Sequence, residues 1–202
     1  MIDADQALAR LKQGNRDFVE QNQARIEMDA QRRSELADSQ SPFAIILGCS
    51  DSRVPAELIF HQGLGNLFVI RVAGNIVAPS QIGSIEFAAE QFGTRLVVVM
   101  GHSRCGAVDA SLKQLQRPSE QRSPNLHSIV SRISPHIESL LGNSDGDDEA
   151  LLQAAVRANI HASVQQLQHG SEILEQLVKN DGLKIVGAEY DLDSGIVDFF
   201  DQ

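Results

Sequence analysis

Five uninterrupted apolar residues, Phe43-Ala-Ile-Ile-Leu47, run into Gly48-Cys49-Ser50-Asp51-Ser52-Arg53, and nothing else in the chain constrains the fold as strongly. A strand with one wet face alternates apolar and polar residues. An unbroken run belongs instead to a strand covered on both faces, as in parallel sheets flanked by helices. This run stops abruptly in a thiol, a carboxylate and a guanidinium at alternate positions. A second stretch has the same design: Leu96-Val-Val-Val-Met100 ends in Gly101-His102-Ser103-Arg104-Cys105-Gly106, adding an imidazole and the only other cysteine.

The rest of the chain supplies what such strands need. Residues 3–21 are predicted helical, capped by Asp3 or Asp5, with Leu8, Leu11, Phe18 and Val19 recurring near the 3.6-residue period. Residues 22–38 are polar with Met28 and Leu36 as sparse anchors, and read as a second, weakly amphipathic helix. Residues 1–39 are thus N-terminal helical arms, packed on the main domain or on a neighbouring subunit, and 40–202 form one α/β metal-binding domain. Strand one spans 43–47, a short helix 55–60, a second doubly covered strand 67–71, a helix 80–92 closed by Gly93, and a third strand 95–100. Helices over 107–115 and 125–141 follow, the latter with Pro135 as a potential kink. One long helix over 149–179, interrupted near Gly170, leads to a strand at 183–190, a turn, and a short extension at 196–200.

Strands alternating with helices imply an α/β fold: a mostly parallel open sheet of about four parallel strands plus an edge strand, with helices on both faces. Ligands in such sheets sit at the carboxyl ends of strands, where successive connections leave in opposite directions. If strand two lies to one side of strand one and strand three to the other, Cys49, His102 and Cys105 meet in one crevice.

Composition excludes several classes. The net charge of −10 argues against nucleic acid as a partner. Part of that charge sits in Asp145-Gly-Asp147-Asp148-Glu149, which reads as a solvated loop. No run approaches the roughly 20 apolar residues that span a bilayer, and the first residues lack the basic and apolar regions of a signal peptide. The expected location is the cytoplasm, where paired thiols bind metal or catalyse more often than they form disulfides.

Two thiolates and an imidazole are a zinc donor set, and three protein ligands with an open fourth position mark a catalytic site. The His-x-x-Cys spacing lets His102 and Cys105 reach one ion from a single turn while Cys49 arrives from the neighbouring strand. Asp51 is placed to bind the metal itself or to accept a hydrogen bond from its water, with Arg53 as its ionic partner.

Cys49-Ser-Asp51-Ser-Arg53 followed by Gly101-His102-Ser-Arg-Cys105-Gly106-Ala107 resembles the two signature motifs of the β-class carbonic anhydrases. The resemblance extends from Gln40 through Asp191-Leu-Asp-Ser-Gly195. It implies a lyase that reversibly hydrates carbon dioxide to bicarbonate and a proton by zinc-bound hydroxide. One Zn2+ per chain would be held by Cys49, His102 and Cys105, with Asp51 and Arg53 as catalytic dyad. Gln40 matches the glutamine that contacts bound substrate and is expected to act on the other subunit's zinc. Phe68, Ala73 and Phe87 match the apolar carbon dioxide pocket, Phe87 standing where tyrosine is common, and Gly106 matches the glycine after the second cysteine. The resemblance further implies an obligate homodimer, often paired into a tetramer, and a closed state in which Asp51 becomes the fourth zinc ligand after Arg53 releases it. A subset of the family locks itself with bicarbonate in a pocket built with tryptophan; this chain has no Trp and carries Ile46 there, so no such form is expected.

His61, His127, His136, His161 and His169 have the right ordinary pKa to carry the released proton, and the sequence does not choose among them. Other readings are carbonyl sulfide or carbon disulfide hydrolysis on the same fold, a non-catalytic bicarbonate-sensing zinc module, and a redox protein with a Cys49–Cys105 disulfide.

Overall fold

The structure is a computed structural model describing residues 2–21, 28–116, 123–143 and 147–200. Its elements are α1 (Ala4–Val19), α2 (Ala30–Glu35), β1 (Ala44–Gly48), α3 (Ala56–Ile59), β2 (Leu67–Arg71), α4 (Pro79–Gln91), β3 (Leu96–His102), α5 (Gly106–Gln116), α6 (Pro124–Ile137), α7 (Asp148–His169), α8 (Glu172–Asn180), β4 (Lys184–Tyr190) and β5 (Val197–Phe200). A tight 3-10 turn, Ala73–Asn75, follows β2, and another, Glu138–Asn143, extends α6.

The sheet order is β2-β1-β3-β4-β5, with the first four strands parallel and β5 antiparallel to β4. Strand alternation divides the apolar runs between two cores. Ile45, Leu47, Val97, Val99 and Ile185 pack beneath α4 to α8, whereas Ala44, Ile46, Val98, Met100 and Ala188 face α1 and α3. Both faces are covered, which is why β1 and β3 show no polar alternation. Because β2 and β3 leave β1 on opposite sides, β1 and β3 are neighbours and their carboxyl ends lie together.

The first helix is part of this architecture. Asp3 caps it in a reciprocal capping box with Gln6, and its buried line is Ala4, Ala7, Leu11, Gly14 and Asn15. That line has no side chain at Gly14 because the helix lies directly on the chain after α3: a Cβ there would come within 1.9 Å of the Phe60 carbonyl oxygen. Leu8 and Phe18 flank this contact half-buried. Asn15 ties the helix to both ends of the site's scaffold, donating to Ile59 O and Gly195 O and accepting from Val197 N.

Three expectations change in detail. The second helix covers only Ala30–Glu35 and buries none of its residues; the rest of its expected start, 22–27, lies outside the described residues, as do 117–122 and the 144–146 part of the acidic loop. Strand β2 is half-buried rather than doubly covered, because it is the sheet's open edge. The helix over 149–179 is interrupted where expected: Gly170 caps α7 and Ser171 restarts the chain as N-cap of α8, accepting from Leu174 N. The extension at 196–200 is a paired strand, β5.

Candidate metal centre

The carboxyl ends of β1 and β3 bring Cys49, His102 and Cys105 together, all buried, with donor atoms within 4.8 Å of one another. Donors on a tetrahedron with zinc bonds of about 2.0–2.3 Å stand roughly 3.3–3.8 Å apart, so this cluster needs little adjustment to close on one ion. The imidazole is already set for it. His102 Nδ1 lies 2.9 Å from Ser103 O, a carbonyl that can only accept, so Nδ1 carries the proton and Nε2 presents a lone pair. That Nε2 is buried and has no hydrogen-bond partner in the protein. A buried acceptor without a partner is costly, and a cation between it and the two sulfurs removes the cost.

The sulfurs make the same case. Cys49 and Cys105 are both free. The Cys49 thiol is pushed down chiefly by its hydrogen bond with Cys105, helped by the amides of Gly74 and Asp51, which together outweigh burial. The Cys105 thiol is pushed up by the neighbouring Cys49 thiolate and by burial, although the Ala107 and Val108 amides at the start of α5 oppose this. Two thiolates so close repel each other, and a divalent cation is what lets both ionise. Soft thiolates with an imidazole suit zinc.

Asp51 and Arg53 stand at the rim. Arg53 Nε donates to Asp51 Oδ1 at 2.9 Å and Nη2 to Oδ2 at 2.8 Å, a bidentate pair, while the Arg53 amide donates to Oδ1 at 3.0 Å. These bonds hold the Asp51 carboxyl well below the usual carboxylate range. Its Oδ2 remains 3.9 Å from His102 Nε2, close to the metal cluster but turned to the arginine.

The other expected residues fall in two places. Ala73 begins the turn whose next residue, Gly74, donates its amide to Cys49 Sγ at 3.4 Å, and Gly106 is the exposed first residue of α5. Phe68 and Phe87 instead meet each other and Phe92 on the open β2 side, ring centroids 5.6–6.3 Å apart, with Phe87 52% exposed. Gln40 is exposed and lines a groove with Leu36, Leu64 and Phe92; none of the metal-cluster residues lines it.

Sequence reasoning missed Arg71. From the last position of β2 its Nε donates to Cys49 O at 3.1 Å and its Nη2 to Asp51 O at 2.6 Å, clamping the loop that carries Asp51 and Arg53. A charged residue closing an apolar strand was the available signal, but only the β1–β2 pairing, Gly48 opposite Arg71, gives it a target.

Fold and site together define an α/β metalloenzyme with a Cys2His centre at the sheet's switch point. The family model described as carbonic anhydrase matches residues 44–197. A carbonic anhydrase of Mycolicibacterium smegmatis is 39% identical over 191 residues, covering 93% of this chain and 89% of that one. Carbonic anhydrase 2 of Mycobacterium tuberculosis is 37% identical over 187 residues, covering 92% and 87%. Among solved structures, the β-carbonic anhydrase CafA of Aspergillus fumigatus has the same fold, with a TM-score of 0.76 at 24% identity, covering 98% of this chain and 90% of that one. The chain belongs to the β-class carbonic anhydrases, zinc enzymes that reversibly convert carbon dioxide and water to bicarbonate and a proton.

Proposed function

We propose that Cys49, His102 and Cys105 hold the zinc and that Asp51 and Arg53 form the dyad that makes carbon dioxide hydration efficient. The observation that carries this is the lone pair of His102 Nε2, buried and unpartnered between two thiols, with the Asp51 carboxylate 3.9 Å away. Bound there, zinc supplies the Lewis acidity that brings the pKa of water from about 15.7 to near 7. Asp51, kept ionised by Arg53, accepts a hydrogen bond from the reacting water and fixes its orientation. Arg53 also restrains Asp51 from turning onto the metal; release of that pair would give the closed state. Arg71 fixes the backbone on which Asp51 turns. Ala73, Phe68 and Phe87 are the proposed apolar side of the carbon dioxide path, and Gly106 leaves the mouth of the site free of side chain.

Self-association follows from the same surface. The open β2 edge and the exposed Phe87 beside Phe68 and Phe92 suit a second copy of the chain, which would bring its zinc toward Gln40. Structures of two β-carbonic anhydrases from Sordaria macrospora are described as tetrameric. No helix among the described residues is long and apolar enough to cross a membrane, and two free thiols acting as ligands suit the reducing cytoplasm as its compartment.

The test is stopped-flow carbon dioxide hydration from about pH 6.5 to 9 on protein of known zinc content, with light scattering for mass. Activity rising through one pKa near 7, with one zinc per chain, is expected. Full zinc without hydration would instead favour a bicarbonate-sensing module.

A further inference from the structure

Helix α7 buries an apolar face of Leu151, Ala155, Val156, Ile160, Val164 and Leu167, yet Asn159 and Ser163 sit buried on it at 1% and 3% exposure. A buried amide and hydroxyl are tolerated only where they are bonded, so their targets indicate their task. Asn159 Nδ2 donates to Gly74 O at 2.8 Å and Ser163 Oγ to Asn75 O at 3.1 Å. Four residues apart, they lie on one side of the helix and grip successive peptides of one turn.

That turn would not hold its shape alone. Gly74 has φ 71° and Asn75 φ 44°, two consecutive left-handed residues, one of them bearing a side chain. Its space is closed as well: a Cβ at Gly74 would lie 2.8 Å from Ile133 Cδ1 of α6 and 3.0 Å from Ala107 Cβ of α5. This geometry is what aims the Gly74 N–H at Cys49 Sγ. A hydrogen bond to a thiolate withdraws charge from the sulfur, so the metal receives less from it and stays more acidic. With two thiolate ligands, a site that must generate hydroxide benefits from that withdrawal.

We propose that Asn159 and Ser163 are positioning residues of the metal centre, acting from α7 through the left-handed Gly74–Asn75 turn to keep an N–H on Cys49 Sγ. This rests on Cys49 being a zinc ligand. It gives the buried polar pair of α7 a task that packing does not explain.

The experiment compares Asn159→Leu and Ser163→Ala with Val164→Ala, a core truncation on the same helix. Cobalt is loaded as a spectroscopic probe, zinc release to a chromogenic chelator is timed, and thermal unfolding is recorded. Both turn variants should shift the sulfur-to-cobalt charge-transfer band and change the zinc release rate about tenfold, Asn159→Leu the more strongly. Val164→Ala should lower the unfolding temperature while leaving band and release rate at wild type. If Asn159→Leu does not fold, Ser163→Ala, which removes one hydroxyl, decides alone. Wild-type band and release in the folded turn variants, or equal changes in Val164→Ala, would overturn the proposal. Failure of the wild type to bind cobalt would sink the metal-ligand reading itself.

Discussion

The ends of β1 and β3 carry the two halves of the metal centre and are restrained in different ways. After β3, His102 and Cys105 are buried and the chain is tied to the turn beyond β4: Ser103 N donates to Tyr190 O, Leu192 N to Ser103 Oγ, and Arg104 pairs with Asp193. After β1, Cys49 is buried but the two residues that follow it with charge are not. Asp51 and Arg53 reach solvent and are held by their own ion pair and by Arg71 from the edge strand. Buried ligands with backbone and hydroxyl hydrogen bonds to a neighbouring turn make a rigid end; side-chain ion pairing at an exposed rim makes an end that can rearrange. The difference matches the proposed division of labour, in which buried donors fix the ion and the Asp51–Arg53 rim works on its water.

Breaking the rigid half should have the largest effect. Cys105→Ser is expected to abolish zinc binding and activity together and to cost about 2–4 kcal/mol of stability, because without the metal His102 Nε2 stays buried without a partner. Zinc analysis with chemical denaturation checks this. Breaking the working half should separate the two properties. Asp51→Ala should keep zinc while lowering kcat by about 10²–10³, the range for loss of a positioned acceptor. Equal loss of zinc in Asp51→Ala and Cys105→Ser would erase the division between the two ends.

Smaller changes sharpen it. Arg71→Gln removes the two bonds to the backbone carbonyls of Cys49 and Asp51. It should lower kcat/KM about tenfold with zinc content unchanged, since a loosened loop misplaces Asp51 without touching the ligand set. Zinc content and steady-state kinetics on one preparation would show whether the effect is that selective.

The smallest effect concerns the brace of β3. Asp191 Oδ1 accepts from Asp193 N, Ser194 N and Ser194 Oγ, and the Ser194 bonds hold its carboxyl below the usual range. A folded pKa below the unfolded value of about 3.9 means that the stabilisation is present above about pH 4 and fades as pH falls through the folded value. Asp191→Asn should thus cost about 0.5 kcal/mol at neutral pH, the worth of weakened hydrogen bonds at an exposed turn. That difference should vanish on acidification, a trend urea denaturation at several pH values would reveal.

Much of this was legible in the chain because parallel strands advertise themselves. The unbroken runs of β1 and β3 required cover on both faces, and their abrupt polar endings marked the carboxyl ends where such sheets bind ligands. Both cysteines and the His-x-x-Cys turn fell on those endings, so residue type and strand period pointed to the same three side chains that the fold brings together. Local sequence also forecast α1, whose capping residue and 3.6-residue period are short-range signals.

What depended on distant neighbours was not legible. Strand β2 has the same apolar wording as β1, and only its place at the sheet edge leaves it half exposed. Arg71 reads as a strand terminus until parallel pairing sets it opposite Gly48. Asn159 and Ser163 read as polar lapses in an apolar helix until α7 crosses the Gly74–Asn75 turn, 84 or more residues away in sequence. The sequence by itself determined which atoms can bind the metal, because donor chemistry belongs to residue type. The tertiary structure decided how those atoms are aimed and braced, because hydrogen-bond direction and burial exist only once remote segments have met.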